Sequence, residues 1–213
     1  TGKLVTDNQI RQQAGRMLND SRTKAKVLEF LLNWLDIENG PDAVKDHAHF
    51  SEFSKETAAA MRTSLLLFLN DIVWGTDSDY RRFFTEDTVF LNDSLAPLFH
   101  IHLNKNSPFQ PVRIDDGQRA GIITHPYMMS LRSYADSTSP IHRGVFLARN
   151  ILGNVLQPPV NAVAPLSADV HPDLTTRERV TLQTKASACQ TCHAMINPLG
   201  FVLEEYDAIG RLR

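Results

Sequence analysis

Cys189 and Cys192 are separated by two residues and followed directly by His193. This C-x-x-C-H spacing is the one at which a polypeptide can hold haem covalently. The two thiols add to the vinyl groups of the porphyrin, and the adjacent imidazole binds the iron as its proximal ligand. The motif therefore predicts one covalently attached haem c, with His193 on the iron.

A zinc site and a thiol–disulfide site are the alternatives for a C-x-x-C pair. A structural zinc site needs a second pair of ligands at matching spacing, and the chain has only two cysteines. A thioredoxin-like motif follows a strand within a βαβ pattern, and no strand-rich alternation precedes Cys189. Haem attachment is favoured over both alternatives.

The second axial ligand of the iron is less evident. Met195 is two residues from His193, too close to reach the opposite face of the porphyrin. An upstream ligand is therefore expected, with Met129 favoured and His142 as the alternative. An open iron site and a ligand beyond residue 213 are the other possibilities. Further upstream candidates are Met128, His125 and His171.

Two other features of the sequence are expected to belong to the same site. Arg143 follows His142 and is the arginine expected to bind a haem propionate, because a guanidinium matches a carboxylate. Residues 197–201 read as a proline- and glycine-containing turn, expected to orient the second ring nitrogen of His193 through a backbone carbonyl.

Helical periodicity runs through most of the chain. Apolar residues three and four positions apart predict helices over about 10–18, 27–35, 51–74, 80–84, 92–103, 125–134, 141–152 and 175–188. Residues 157–172 are rich in proline and predict an extended wrap. The expected fold is all-α, with a helical packing domain over 1–115 and a cytochrome c-like haem-binding helical domain over 116–213.

Composition narrows the class of partner. The formal net charge of −2 gives no basic field for nucleic acid. No run of about 18 apolar residues predicts a transmembrane segment. Covalent haem attachment is associated with the outer side of the bacterial cytoplasmic membrane, so a periplasmic or otherwise exported location is expected. The expected partner is a redox protein, or other domains of a longer parent chain.

Four stretches of the second half resemble the planctomycete-type large cytochrome c proteins. They are 119–126 (RAGIITHP), 138–147 (TSPIHRGVFL), 174–179 (LTTRER) and 189–211, which begins with the C-x-x-C-H motif. Residues 17–18 and 30–35 are similar to the helical domain that precedes the haem domain in that family. The chain departs from many relatives at Asn197, where they have aspartate, and at Gln183, where they have histidine. The resemblance implies an exported cytochrome.

Three functions are compatible with these features. The favoured one is transfer of single electrons through a haem with both axial positions filled. A haem peroxidase would instead have an open or displaceable distal position, with His125 or His142 as the acid–base group. The third is a docking or structural domain stapled by haem. No distal catalytic arrangement is evident, so electron transfer is favoured over catalysis.

Overall fold

A computed structural model of the chain describes residues 4–37, 43–114, 117–157 and 171–213. It forms two compact units, Thr1–Gly40 and Pro41–Arg213. The expected boundary near residue 115 therefore lies inside the second unit.

The first unit is a pair of helices. Helix α1 spans Asp7–Leu18, and helix α2 spans Ser21–Trp34. Thr6 caps α1, since its hydroxyl accepts from the backbone N–H of Gln9 and the Gln9 side chain accepts from the backbone of Thr6. Asp20 caps α2. Both helices lie where the apolar spacing predicts them, and each begins earlier than its predicted range.

Helix α3 spans Lys55–Trp74 in the second unit. Ser54 caps its first turn, and Gly75 ends it. Its buried face carries the apolar stripe expected from the sequence, and removing such side chains from water is the main stabilising term of a core. The buried apolar residues of the stripe are Met61, Leu65, Phe68, Leu69 and Ile72.

The all-α prediction is corrected by a small sheet. After the short helix α4, Arg82–Thr85, strand β1 spans Thr88–Leu91 and pairs antiparallel with β2, Gln110–Arg113. β1 alternates half-buried and buried residues, as a strand with one face on the core does. The helix expected over 92–103 is instead a short 3-10 turn, Ala96–Phe99, which ends at His100 with a positive φ of 56°.

The remaining elements lie in the C-terminal half. Helix α5 spans Pro126–Leu131, and α6 spans Pro140–Phe146 and continues into one turn of π helix, Leu147–Ile151. Helix α7 spans Thr176–Gln183, and α8 spans Ser187–Phe201. The turn expected over 197–201 is wrong, because α8 continues through it. The proline-rich wrap falls largely on 158–170, outside the described residues.

Packing is continuous across the expected domain boundary. Lys45 donates to the carbonyl oxygens of Ser130 and Tyr134, both at 2.9 Å, and Ser64 on α3 lies 3.4 Å from a ring nitrogen of His125. These contacts join 43–114 to the segment that begins at 117. The two parts of the second unit therefore share one core.

Over the described ranges, no helix combines the length and the apolar character needed to cross a membrane.

Candidate functional site

Helix α8 carries the whole C-x-x-C-H motif. Cys189, His193, Ile196 and Gly200 are spaced by four, three and four residues along it. At about 100° per residue this spacing places them on one stripe of the helix, and Cys192 flanks the stripe. The thiols and the imidazole are therefore presented on one side of α8, as covalent attachment to a single planar group requires.

Near the C-terminal end of α8, residues of the same stripe pack against α6. A Cβ atom on Gly200 would overlap the backbone of Pro140. A Cβ atom on Gly144 would overlap the carbonyl oxygen of Ile196. Glycine is thus required at both crossing points, because the two backbones approach too closely for any side chain.

The π-helical turn Leu147–Ile151 lies alongside the motif. The contacts of Gly200 with Pro140 and of Ile196 with Gly144 run in opposite directions along the two helices. This antiparallel order places the continuation of α6 next to the first turns of α8, and the π turn does pack against α8. Single π-helical turns inside longer helices are frequent at functional sites.

A hydrogen bond from the middle of α8 fixes the His193 ring. Its Nδ1 atom lies 3.0 Å from Oδ1 of Asn197, one helical turn further along α8. Asn197 is in turn bound through Nδ2 to the hydroxyl of Thr184, at 2.9 Å. The orienting group is thus the side-chain carbonyl of Asn197 and not the backbone carbonyl that was expected.

The two thiols are chemically available. Cys189 and Cys192 are both free and only partly buried, near the start of α8. Within the described ranges no group of three or more His, Cys, Asp or Glu side chains converges as a metal site. A haem does not depend on such a cluster, because the porphyrin occupies the equatorial positions and the protein supplies only axial ligands. The residues present therefore fit haem c.

Met129, the favoured distal ligand, lies in the core. Helix α5 packs against α3 and against the 3-10 turn Gly121–Ile123, and the Met128 and Met129 side chains are fully buried. Helix α8 packs instead against α6, the π turn and α7. The Met129 assignment stays a prediction.

His142, the alternative distal ligand, is exposed, and its ring lies 5.1 Å from that of Tyr134. It follows Pro140 by two residues and precedes Gly144 by two, so it is about 200° around α6 from both. Since those two residues contact α8, His142 lies on the opposite face of α6. This assignment also stays a prediction.

His125 has a structural role in the described core. It is 1% exposed, and its Nδ1 atom accepts the backbone N–H of Tyr127 at 3.3 Å as the cap of α5. Its Nε2 atom lies 3.4 Å from the hydroxyl of Ser64. Burial, followed by the positive charge of Arg119, lowers the pKa of His125 to about 3. The ring is neutral and both nitrogens are occupied.

Arg143 is placed differently from the prediction. Its side chain is fully buried and donates to the carbonyl oxygens of Leu203, Tyr206 and Asp207 at 2.6, 2.8 and 2.7 Å. The Ser133 hydroxyl accepts a further bond at 3.0 Å. Burial lowers the pKa of Arg143 to about 10, and the Glu204 carboxylate opposes this shift.

This geometry corrects the propionate assignment. The Arg143 guanidinium binds three backbone carbonyl oxygens of the chain that follows α8, and has no surface exposure from which to reach a propionate. A guanidinium with five N–H donors is suited to collecting several carbonyl oxygens in this way. Arg143 therefore holds the C-terminal segment in place.

Comparison with known proteins assigns each half of the chain to a domain. Residues 119–213 match the family model PSCyt3, a protein of unknown function (DUF1588), and residues 1–101 match PSD4, a protein of unknown function (DUF1592). The two domains are those found in planctomycete-type cytochrome c proteins. The resemblance read from the sequence is confirmed for this pair of domains. No curated protein and no solved structure gives a match.

Sequence reasoning missed three parts of the site, namely Thr184, the π turn and the side-chain role of Asn197. Asn197 was readable in principle, since it follows His193 by four residues and so shares its helix face. Pro198 obscured this relation, because a proline at this position favours the prediction of a turn, whereas Pro198 lies inside α8. Thr184 is on another helix, and no local pattern connects it to the motif.

Proposed function

We propose that the chain is an exported c-type cytochrome module that transfers single electrons through one covalently attached haem c. The observation that carries the proposal is the arrangement on α8, where two free thiols and an oriented imidazole share one side of the helix. A C-x-x-C-H sequence on an irregular loop, or with its cysteines in a disulfide, would offer no such support.

The chain's own residues would hold and orient the group. Cys189 and Cys192 would form the two thioether bonds, and Nε2 of His193 would bind the iron on the proximal side. When bound, the haem supplies an iron that cycles between two oxidation states. His193 would supply the imidazole that binds the iron, and α6 and the π turn pack against the helix that carries it.

Electron transfer is favoured over peroxidase chemistry by the state of His125. An acid–base group must reach a bound peroxide, and His125 is enclosed in the core with both ring nitrogens in use. His142 is exposed, but it lies on the face of α6 that is turned away from α8. Neither histidine supports a distal catalytic role.

The proposed partners and the proposed location follow from the chemistry of covalently attached haem. A module with one haem must receive an electron from one protein and pass it to another, so the proposed partners are a redox protein or other domains of a longer parent chain. Covalent attachment of haem is an extracytoplasmic reaction in bacteria, and the proposed location is periplasmic or otherwise exported.

The first test is covalent attachment. The chain is expressed with a haem-attachment system and separated on a denaturing gel, where only covalently held haem stays with the protein. We expect haem staining of the wild type, loss of staining in the double variant Cys189→Ser, Cys192→Ser, and retention in His102→Ala, which removes an exposed histidine. An unstained wild-type band would reject the cytochrome proposal.

The second test separates electron transfer from ligand activation. Spectra of the oxidised and reduced protein are recorded before and after addition of carbon monoxide or peroxide. A low-spin spectrum that neither reagent changes is expected for an electron-transfer haem. A high-spin spectrum that shifts with carbon monoxide would favour the peroxidase alternative.

A further inference from the structure

The Thr184 hydroxyl determines which atom of the Asn197 side chain donates a hydrogen bond and which accepts one. The Thr184 hydroxyl has one proton and donates it to the carbonyl oxygen of Val180, at 2.8 Å. The hydroxyl oxygen is then available only as an acceptor for its next partner. The Asn197 side chain, 2.9 Å away, must therefore present its Nδ2 donor to Thr184.

This orientation determines the proton on His193. With Nδ2 facing Thr184, Oδ1 of Asn197 faces Nδ1 of His193 at 3.0 Å. A carbonyl oxygen only accepts, so Nδ1 must be the protonated nitrogen. A neutral imidazole has one N–H, and the lone pair is therefore left on Nε2.

The two intermediate groups are shielded from competing water. Thr184 is 3% exposed and Asn197 is 8% exposed. A reversed amide would place Nδ2 against His193 and Oδ1 against Thr184, so the Thr184 hydroxyl would have to turn toward Oδ1 and give up its bond to the carbonyl oxygen of Val180. The orientation described keeps all three hydrogen bonds of the relay, whereas the reversed one keeps two, and this difference sets the direction of the relay.

We infer that Thr184 and Asn197 are positioning residues, which act as a relay from α7 to hold His193 in its Nδ1–H tautomer and leave Nε2 as the metal-binding nitrogen. The role toward iron rests on the proposed function, whereas the tautomer itself is a property of the chain alone. Because Thr184 is the C-cap of α7, the relay also ties the orientation of the imidazole to a second helix.

The charge of the group that accepts the hydrogen bond from Nδ1 of His193 should influence the reduction potential of an attached haem. The Asn197 amide oxygen is uncharged, so it orients the imidazole without drawing strongly on its proton. A carboxylate at this position would make the imidazole a more basic ligand. We therefore expect Asn197→Asp to lower the reduction potential of an attached haem, and Asn197→Leu, which removes the acceptor, to raise it.

The tautomer is measured directly by NMR. The full chain is labelled with nitrogen-15 at histidine, purified without haem attachment, and studied at about pH 8, above the ordinary range of an imidazole pKa. We expect the Nδ1–H form at His193 in the wild type and in Thr184→Ser, which keeps the hydroxyl. Thr184→Val should give a mixture of tautomers.

Thr181→Val is the matched control. Thr181 lies on the same helix, and its hydroxyl donates to the carbonyl oxygen of Arg177 at 2.8 Å in the same way, but it is exposed and has no bond to Asn197. It should leave the His193 tautomer unchanged. An Nε2–H form in the wild type, or an unchanged tautomer in Thr184→Val, would overturn the inference.

The reduction potential gives a second readout that does not require the haem-free chain to fold. It is measured by spectroelectrochemistry on haem-loaded wild type, Asn197→Asp, Asn197→Leu and Thr181→Val. Opposite shifts in the two Asn197 variants support the relay, and equal potentials in all four proteins overturn it. If no variant and no wild type attaches haem, the proposed function fails, while the NMR result still decides the tautomer.

Discussion

Helices α5 and α8 both carry residues capable of binding iron, and the fold uses them in opposite ways. Every residue of α5 is buried, and its cap His125 and its two methionines serve the core. Helix α8 keeps its two cysteines and His193 partly exposed and fixes only one nitrogen of the imidazole. A ligand-type side chain thus becomes a candidate site only where the fold leaves an atom accessible and unused.

Arg143 connects the segments that follow α5 and α8. Its replacement should lower the free energy of unfolding more than the other changes below. Arg143→Met leaves three backbone carbonyl oxygens and the Ser133 hydroxyl without their buried donor. We expect the free energy of unfolding to fall by about 3–5 kcal/mol, measured by urea denaturation.

Arg11→Met, which changes an exposed arginine, is the control and should stay within about 0.5 kcal/mol of wild type. A stable Arg143→Met protein that loads haem at reduced affinity would instead restore the propionate role and contradict the structural assignment.

Because His125 is buried in the core as a neutral ring, the stability of the fold should depend on pH. Its folded pKa of about 3 is below the ordinary value of 6.5, so the unfolded chain binds a proton that the folded chain excludes. Stability should therefore be complete above pH 6.5 and be lost as the pH falls toward 3, at about 1.4 kcal/mol for each pH unit.

The difference in unfolding free energy between wild type and His125→Asn isolates this contribution, because asparagine can still cap α5. Denaturation curves at several pH values should show a steeper dependence in the wild type. Parallel curves would mean that His125 is not buried as a neutral ring.

On α8, the crossing with α6 is expected to be intolerant of side chains. Gly144→Ala places a methyl group against the carbonyl oxygen of Ile196, and overpacking of this kind costs about 1–3 kcal/mol. Thermal unfolding would show the loss.

Gly15→Ala is the counterpart in the exposed helix α1, where an added Cβ atom meets nothing within 4 Å. It should be neutral or stabilising by up to about 1 kcal/mol, because alanine favours helix. Equal effects at Gly144 and Gly15 would mean that α6 and α8 do not approach as closely as described.

The smallest effect is expected at Met129. Met129→Leu conserves volume, so a core residue should lose less than about 1.5 kcal/mol and leave the haem spectrum unchanged. Met128→Leu is the matched control on the same helix. Loss of a methionine–iron band in Met129→Leu alone would establish Met129 as the distal ligand and show that it is more than a core residue.

The local elements of the fold were largely predictable, because helix periodicity and caps are encoded in neighbouring residues. Helices α1, α2 and α3 lie where the apolar spacing predicts them, and Thr6, Asp20 and Ser54 cap them. The failures have non-local causes. Strand β1 was missed because it is formed by pairing with a segment near residue 110. The helical path through Pro198 was missed because packing of α8 on α6 outweighs the local preference for a turn.

The sequence by itself determined which atoms can do chemistry, since the C-x-x-C-H spacing depends only on the order of residues. It also carried the family resemblance, which the two family matches confirm in part. Only the tertiary structure decided that Arg143 belongs to the core and that Thr184 reaches Asn197. Those outcomes depend on burial and on contacts between distant helices, and neither is encoded in the spacing of residues along one helix.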